Sequence, residues 1–178
     1  MRPPPSSAPP PRPWAERAAS LQALPRFILN GRLGASDGKQ GFSAGIHWQE
    51  SGADASIDLS GPLGFGAAHL QQQGGELQIV TANGAHLDGE AAEAQLARML
   101  GFDPPLNSLR YWVLGVNDPQ SSAHYTLDDR QRLASLQQGG WRVDYQDYSA
   151  VQRYWLPRQL TVTHQQLRLR LVINGWQL

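Results

Sequence analysis

The feature that most limits how this chain can fold is a period of two. In Leu167-Arg168-Leu169-Arg170-Leu171-Val172-Ile173 apolar positions alternate with arginines, and the same beat recurs along most of the sequence. An extended strand sends successive side chains to opposite faces, so such a run buries one face and wets the other. Phe27, Leu29 and Leu33 alternate with Asn30 and Arg32. Phe42, Ala44, Ile46 and Trp48 oppose Ser43, His47 and Gln49. Ala55, Ile57 and Leu59 oppose Ser56 and Asp58, and Trp141, Val143 and Tyr145 oppose Arg142, Asp144 and Gln146. Turn signals stand between the runs: Asp37-Gly38, Gly52, Gly74-Gly75, Asn83-Gly84 and Gly139-Gly140. Short one-sided strands joined by tight turns describe an antiparallel meander.

Helical spacing appears in two places. Trp14, Ala18 and Leu21 recur at i, i+4 and i+7, which predicts a helix over 14–24 that Pro25 ends. Residues 88–115 interrupt the meander. There Ala92, Leu96, Met99 and Leu100 share a helical face that Gly101 stops, and Leu106, Leu109 and Trp112/Val113 share another after Pro104-Pro105. Leu133 and Leu136 lie in an ambiguous strand. Residues 147–158, with Tyr148, Tyr154, Trp155 and Pro157, read as a loop. The fold class is mainly β (α+β). About ten strands form a single curved antiparallel sheet, a half-open β barrel with a lid of short helices, since a sheet of that size curls or closes. Few helical residues are available to fill it, so an apolar cavity is expected.

The chemistry-bearing patterns are weak. Gly41-Phe42-Ser43-Ala44-Gly45 matches a nucleophile elbow, but Ser43 sits inside a period-two run instead of a strand-to-helix turn. His47, His69, His86, His124 and His164 have no metal-type spacing, and no phosphate-binding loop or dinucleotide fingerprint occurs. No catalytic residue, metal or cofactor is assigned. With no cysteine, disulfides and thiolate sites are excluded, and a net charge of +0 gives no field that favours nucleic acid. No apolar run approaches the ~18 residues of a membrane span. Trp48, Trp112 and Trp141 lie on apolar faces, as core or cavity wall, which favours binding of an apolar ligand over catalysis.

Two segments stand apart. Residues 2–13 are rich in proline, favour extended polyproline II and read either as a disordered tail or as a spacer to an anchor, a tether (1–13) in the second case, ahead of one domain spanning 14–178. Gly61-Pro62-Leu63-Gly64-Phe65-Gly66 is a turn by its glycines and proline but carries Leu63 and Phe65. An apolar turn tip either folds onto the core or is offered to something outside the protein.

Trp48-Gln49 with Gly61-Pro62-Leu63-Gly64 resembles the outer-membrane lipoprotein receptor family LolB. So do Pro105-Leu106-Asn107-Ser108-Leu109-Arg110-Tyr111-Trp112-Val113-Leu114-Gly115, Gly140-Trp141-Arg142-Val143-Asp144-Tyr145 and Asn174-Gly175-Trp176. The resemblance runs from about Trp14 to Leu178, and the 105–115 stretch is its most specific part. It implies a cavity for acyl chains, with the periplasmic carrier LolA, lipoprotein acyl chains and the outer-membrane bilayer as partners. It places the protein on the periplasmic face of the outer membrane, anchored through an acylated N-terminal cysteine where this sequence has Met1, and a monomer is expected. The cavity wall then comprises Phe42, Ile46, Trp48, Ile57 and Leu59 on strands, Leu96, Met99, Leu109, Trp112 and Val113 on the lid, and Trp141, Val143, Tyr145, Leu169 and Leu171 on later strands. Leu63, with Pro62 and Phe65, becomes the loop that touches the membrane. Three alternatives stay open. A soluble carrier of the same pathway shares the fold, and a structural envelope domain predicts a filled core. A lipid hydrolase or isomerase needs a polar cluster within the apolar face, and none is visible in the alternation.

Overall fold

The computed structural model describes residues 13–61 and 67–178. The stretch up to residue 12 and the tip residues Pro62, Leu63 and Phe65 lie outside the described residues.

Helix α1 (Trp14–Gln22) leads into strands β1 (Arg26–Ser36), β2 (Gly41–Ser51), β3 (Asp54–Ser60), β4 (Ala68–Gln73), β5 (Glu76–Thr81) and β6 (His86–Asp88). Helices α2 (Gly89–Leu100) and α3 (Leu106–Trp112) follow. The chain then returns to the sheet with β7 (Ala123–Leu127), β8 (Leu133–Gln138), β9 (Trp141–Val151), β10 (Tyr154–His164) and β11 (Leu167–Gln177). All eleven strands form one sheet in the order β6-β5-β4-β3-β2-β1-β11-β10-β9-β8-β7. Neighbours are antiparallel throughout, and the chain ends close the middle of the sheet where β1 pairs β11. The edge strands β6 and β7 do not pair with each other, so the curved sheet stays open.

The alternation sets the faces. Along β2 the buried positions are Ala44, Ile46, Trp48 and Glu50, and along β11 they are Leu169, Leu171 and Ile173. Gly31 keeps the central pairing tight, since a Cβ there would collide with the carbonyl of Val172. The register shifts beside it, between Asn30 and Gly31. Gly101 ends α2 in the left-handed region (φ 87°), its N–H bonded to the carbonyl of Ala97 at 2.8 Å.

Two boundaries differ from the sequence reading. Helix α1 stops at Gln22, short of the expected 24, since the residues before a proline leave the α region. Residues 147–158 are no loop. They are the ends of β9 and β10, joined through Gln152 (φ 52°). Pro157 is tolerated inside the sheet because the register shifts between Pro157 and Gln159.

Helix α1 docks on this hairpin. Arg17 is buried and donates through Nη2 to the carbonyl oxygen of Trp155. Its guanidinium lies 5.7 Å from the Tyr148 ring, and Arg132 lies 4.6 Å from the same ring and 5.1 Å from that of Trp155. Helices α2 and α3 cover the other half of the concave face.

Candidate functional site: a roofed apolar seam

The concave face holds one continuous apolar seam. Its floor is Leu33 on β1, Ile46 and Trp48 on β2, Ile57 and Leu59 on β3 and Leu70 on β4, continued by Leu160, Val162, Leu169 and Leu171 on β10 and β11. Its roof is Leu96 and Leu100 on α2, Pro104, Leu106 and Leu109 around α3, and Val113 just beyond it. Every lining residue is apolar. The seam spans about 560 Å³ including its open mouth, but its free interior is only about 50 Å³. Walls and roof are nearly in contact.

Ile46, Trp48, Ile57, Leu59, Leu96, Leu109, Val113, Leu169 and Leu171 all line this seam. Phe42 and Met99 are half-buried at the margin of the core. Four expected wall residues belong to the framework instead. Trp112 is fully buried behind the roof, where its Nε1 donates to Gln138 Oε1 at 2.9 Å. The Tyr145 hydroxyl donates to the Trp112 carbonyl at 2.7 Å, and burial raises its pKa well above the usual phenol value. Val143 is fully buried and does not reach the seam. Trp141 is half-buried and packs between Phe102 (5.8 Å) and His164 (5.2 Å). An apolar face names the side a residue points to, and the curl of the sheet then divides that side between seam and framework. Leu33, Leu70, Leu100, Pro104, Leu106, Leu160 and Val162 also line the seam. The same alternation and helical spacing that marked their neighbours could have found all of these except Pro104.

One expectation fails in chemical type. The inward face contains a carboxylate. Glu50 is 6% exposed and lines a small polar extension of the seam with Gln72, Trp48 and Leu106. Trp48 Nε1 donates to Glu50 Oε1 at 3.0 Å, and Arg110 Nε lies 3.4 Å from Oε2. Burial pushes the Glu50 pKa up, and the Trp48 and Arg110 contacts moderate the rise. The signal was present, since Glu50 continues the phase of Ile46 and Trp48.

An open curled sheet whose helices roof an entirely apolar seam defines a binding protein for an apolar ligand. The outer membrane lipoprotein LolB family profile matches residues 25–176. A Pseudomonas syringae protein called outer-membrane lipoprotein LolB is 36% identical over 167 residues, covering 94% of this chain and 82% of that protein. A Pseudomonas putida namesake is 35% identical with the same coverage. The chain belongs to the outer-membrane lipoprotein LolB family, a family of lipoprotein-binding and transfer proteins and not of enzymes. The fold recurs in more distant structures. A LolA superfamily protein from Nitrosomonas europaea matches with a TM-score of 0.58 at 8% identity, covering 93% of this chain and 91% of that one. A DUF1329 family protein from Desulfovibrio piger matches at 0.63 and 10%, covering 92% and 90%.

Proposed function

We propose that the seam takes the acyl chains of a lipoprotein from the carrier LolA and that the protein then releases them into the outer membrane. The wholly apolar lining of a roofed seam carries this reading. Each acyl methylene left in water costs ~0.8 kcal/mol, so the chains need continuous cover between carrier and bilayer. The sequence has no nucleotide-binding loop, so each step runs down an affinity gradient. Residues 14–178 act as one monomeric binding domain, and residues 1–13 act as its tether. Phe42 and Met99 join the wall when the roof lifts, Met99 with a side chain that adapts to chains of variable shape.

The membrane contact in this reading is Leu63, flanked by Pro62 and Phe65. Strand β3 ends at Ser60, and its antiparallel neighbour β4 begins at Ala68.

A fluorescent fatty acid tests the seam. The native protein is expected to bind it, and Leu96→Trp, which fills the roof, is expected to weaken binding at least tenfold while circular dichroism stays native. Equal binding by both proteins would contradict the seam as the acyl site. The membrane role has its own test. Leu63→Glu is expected to leave probe binding intact and to slow lipoprotein delivery to outer-membrane vesicles. Normal delivery, or loss of probe binding as well, rules out Leu63 as the membrane contact.

A further inference from the structure

Glu50 is a group that acyl binding does not use. A carboxylate at an inward strand position is costly unless it is paired. Here the pairing reaches out of the sheet. Arg110 belongs to α3, the helix that places Leu106 and Leu109 on the roof. The other ion pairs among the described residues, Asp58–His69, Asp128–Arg132, Asp144–Arg142 and Asp147–Arg158, each join adjacent strands or lie within one strand or turn. Glu50–Arg110 differs in joining a roof helix to the concave face of the sheet.

The seam leaves little free space between floor and roof, so seating a long acyl chain requires the roof to move. At its C-terminal end α3 is held through Trp112, which donates to Gln138 and accepts from Tyr145. Elsewhere along α3, among the described residues, the polar links are a 3.4 Å contact from Gln72 to Asn107, a 2.9 Å bond from Ser108 to Asp118, and the pair that Arg110 of the last turn makes with Glu50. The first is exposed, and the second ties α3 to the segment that follows it. Only the third holds α3 down on the buried face of β2.

We propose that Glu50 and Arg110 form the latch that keeps α3 closed over the seam and thereby sets how fast acyl chains enter and leave. Both are positioning residues, acting on the ligand through the roof. Trp48 orients the carboxylate. The charged groups facing Glu50 are Arg110 from α3 and Asp54 from β3.

The proposal rests on the acyl-chain reading only for its consequence, and the opening itself is testable without ligand. The chain has no cysteine, so Leu109→Cys, on the buried face of α3, introduces a single thiol that reacts when α3 lifts. In that background Glu50→Gln and Arg110→Met are each expected to speed modification by a small thiol reagent about fivefold, as expected for losing one modest interaction. The double variant adds nothing further, as coupled partners require. In the cysteine-free protein the same substitutions speed uptake of the fluorescent fatty acid by a similar factor, and the melting temperature of Glu50→Gln does not fall. Unchanged thiol reactivity in both single variants overturns the latch. Slower uptake with weaker equilibrium binding also overturns it, because Glu50 then touches the ligand and not the roof. Absence of fatty-acid uptake by the native protein would count against the acyl reading alone, with thiol reactivity still deciding the latch.

Discussion

Gln138 shows how much of the site depends on single polar residues. It accepts from Trp112 Nε1 and from the Asp118 N–H, both at 2.9 Å, and donates to the carbonyls of Asp118 (2.8 Å) and Ser121 (3.0 Å). It thereby fixes the end of α3 and the segment that returns to β7. Gln138→Leu leaves buried donors and acceptors unpaired at about 1–3 kcal/mol each. The expected loss is roughly 3 kcal/mol or more, and a fall in Tm on the order of 6–12 °C by thermal melting. Glu50 behaves differently. Its folded pKa lies above the unfolded value, so its contribution to stability is full below about pH 4.5 and is lost as pH rises through the folded pKa. Glu50→Gln is therefore expected to melt close to the native protein near pH 4 and above it near pH 8. A difference in Tm that shrinks with rising pH would contradict this sign. Both residues were legible by position and hidden by type. Glu50 stands two residues after Trp48 and Gln138 two after Leu136, so the alternation points them inward. What the sequence does not show is the partner, since Arg110 and Trp112 come from a helix whose docking is set by the fold.

Among the elements, the strands and helices follow the sequence periodicity closely and the turns less so. Gly38, Gly52 and Gly140 mark turns that the sequence announces, whereas Gln131, Gln152 and Gln165 adopt positive φ with no such signal. The β9–β10 hairpin therefore reads as a loop in the sequence, with Pro157 adding to the break. A left-handed non-glycine residue costs about 1–2 kcal/mol, against roughly 0.5–1 kcal/mol for the extra unfolded freedom of glycine. Gln152→Gly is thus expected to stabilise by about 0.5–1 kcal/mol, read from the denaturation midpoint, and to leave acyl-probe binding unchanged. A clear loss of stability would mean that the Gln152 side chain contributes more than its backbone strain removes.

Across the whole molecule, period-two patterning and the shortage of helix made a curled sheet with a partly filled interior readable in advance. The near-closure of that interior was not readable, because it depends on how far α2 and α3 settle onto the floor. At a hundredfold excess over its dissociation constant, a ligand that binds only the folded state stabilises it by about 2.7 kcal/mol. A saturating fatty acid is therefore expected to raise Tm by several degrees. The rise should be smaller in Leu96→Trp.

The open edges of the sheet give this container a mechanical character. Strands β6 and β7 never meet, so no ring of hydrogen bonds fixes the circumference. In the proposed acyl-binding role the seam acts as a sprung clip and not as a cup. Each acyl chain that enters must wedge apart walls that would otherwise rest against each other, and the work of parting them is subtracted from the grip. A bilayer, whose tails yield sideways, exacts no comparable penalty. In the proposed acyl-transfer role, that difference favours release of cargo to the bilayer.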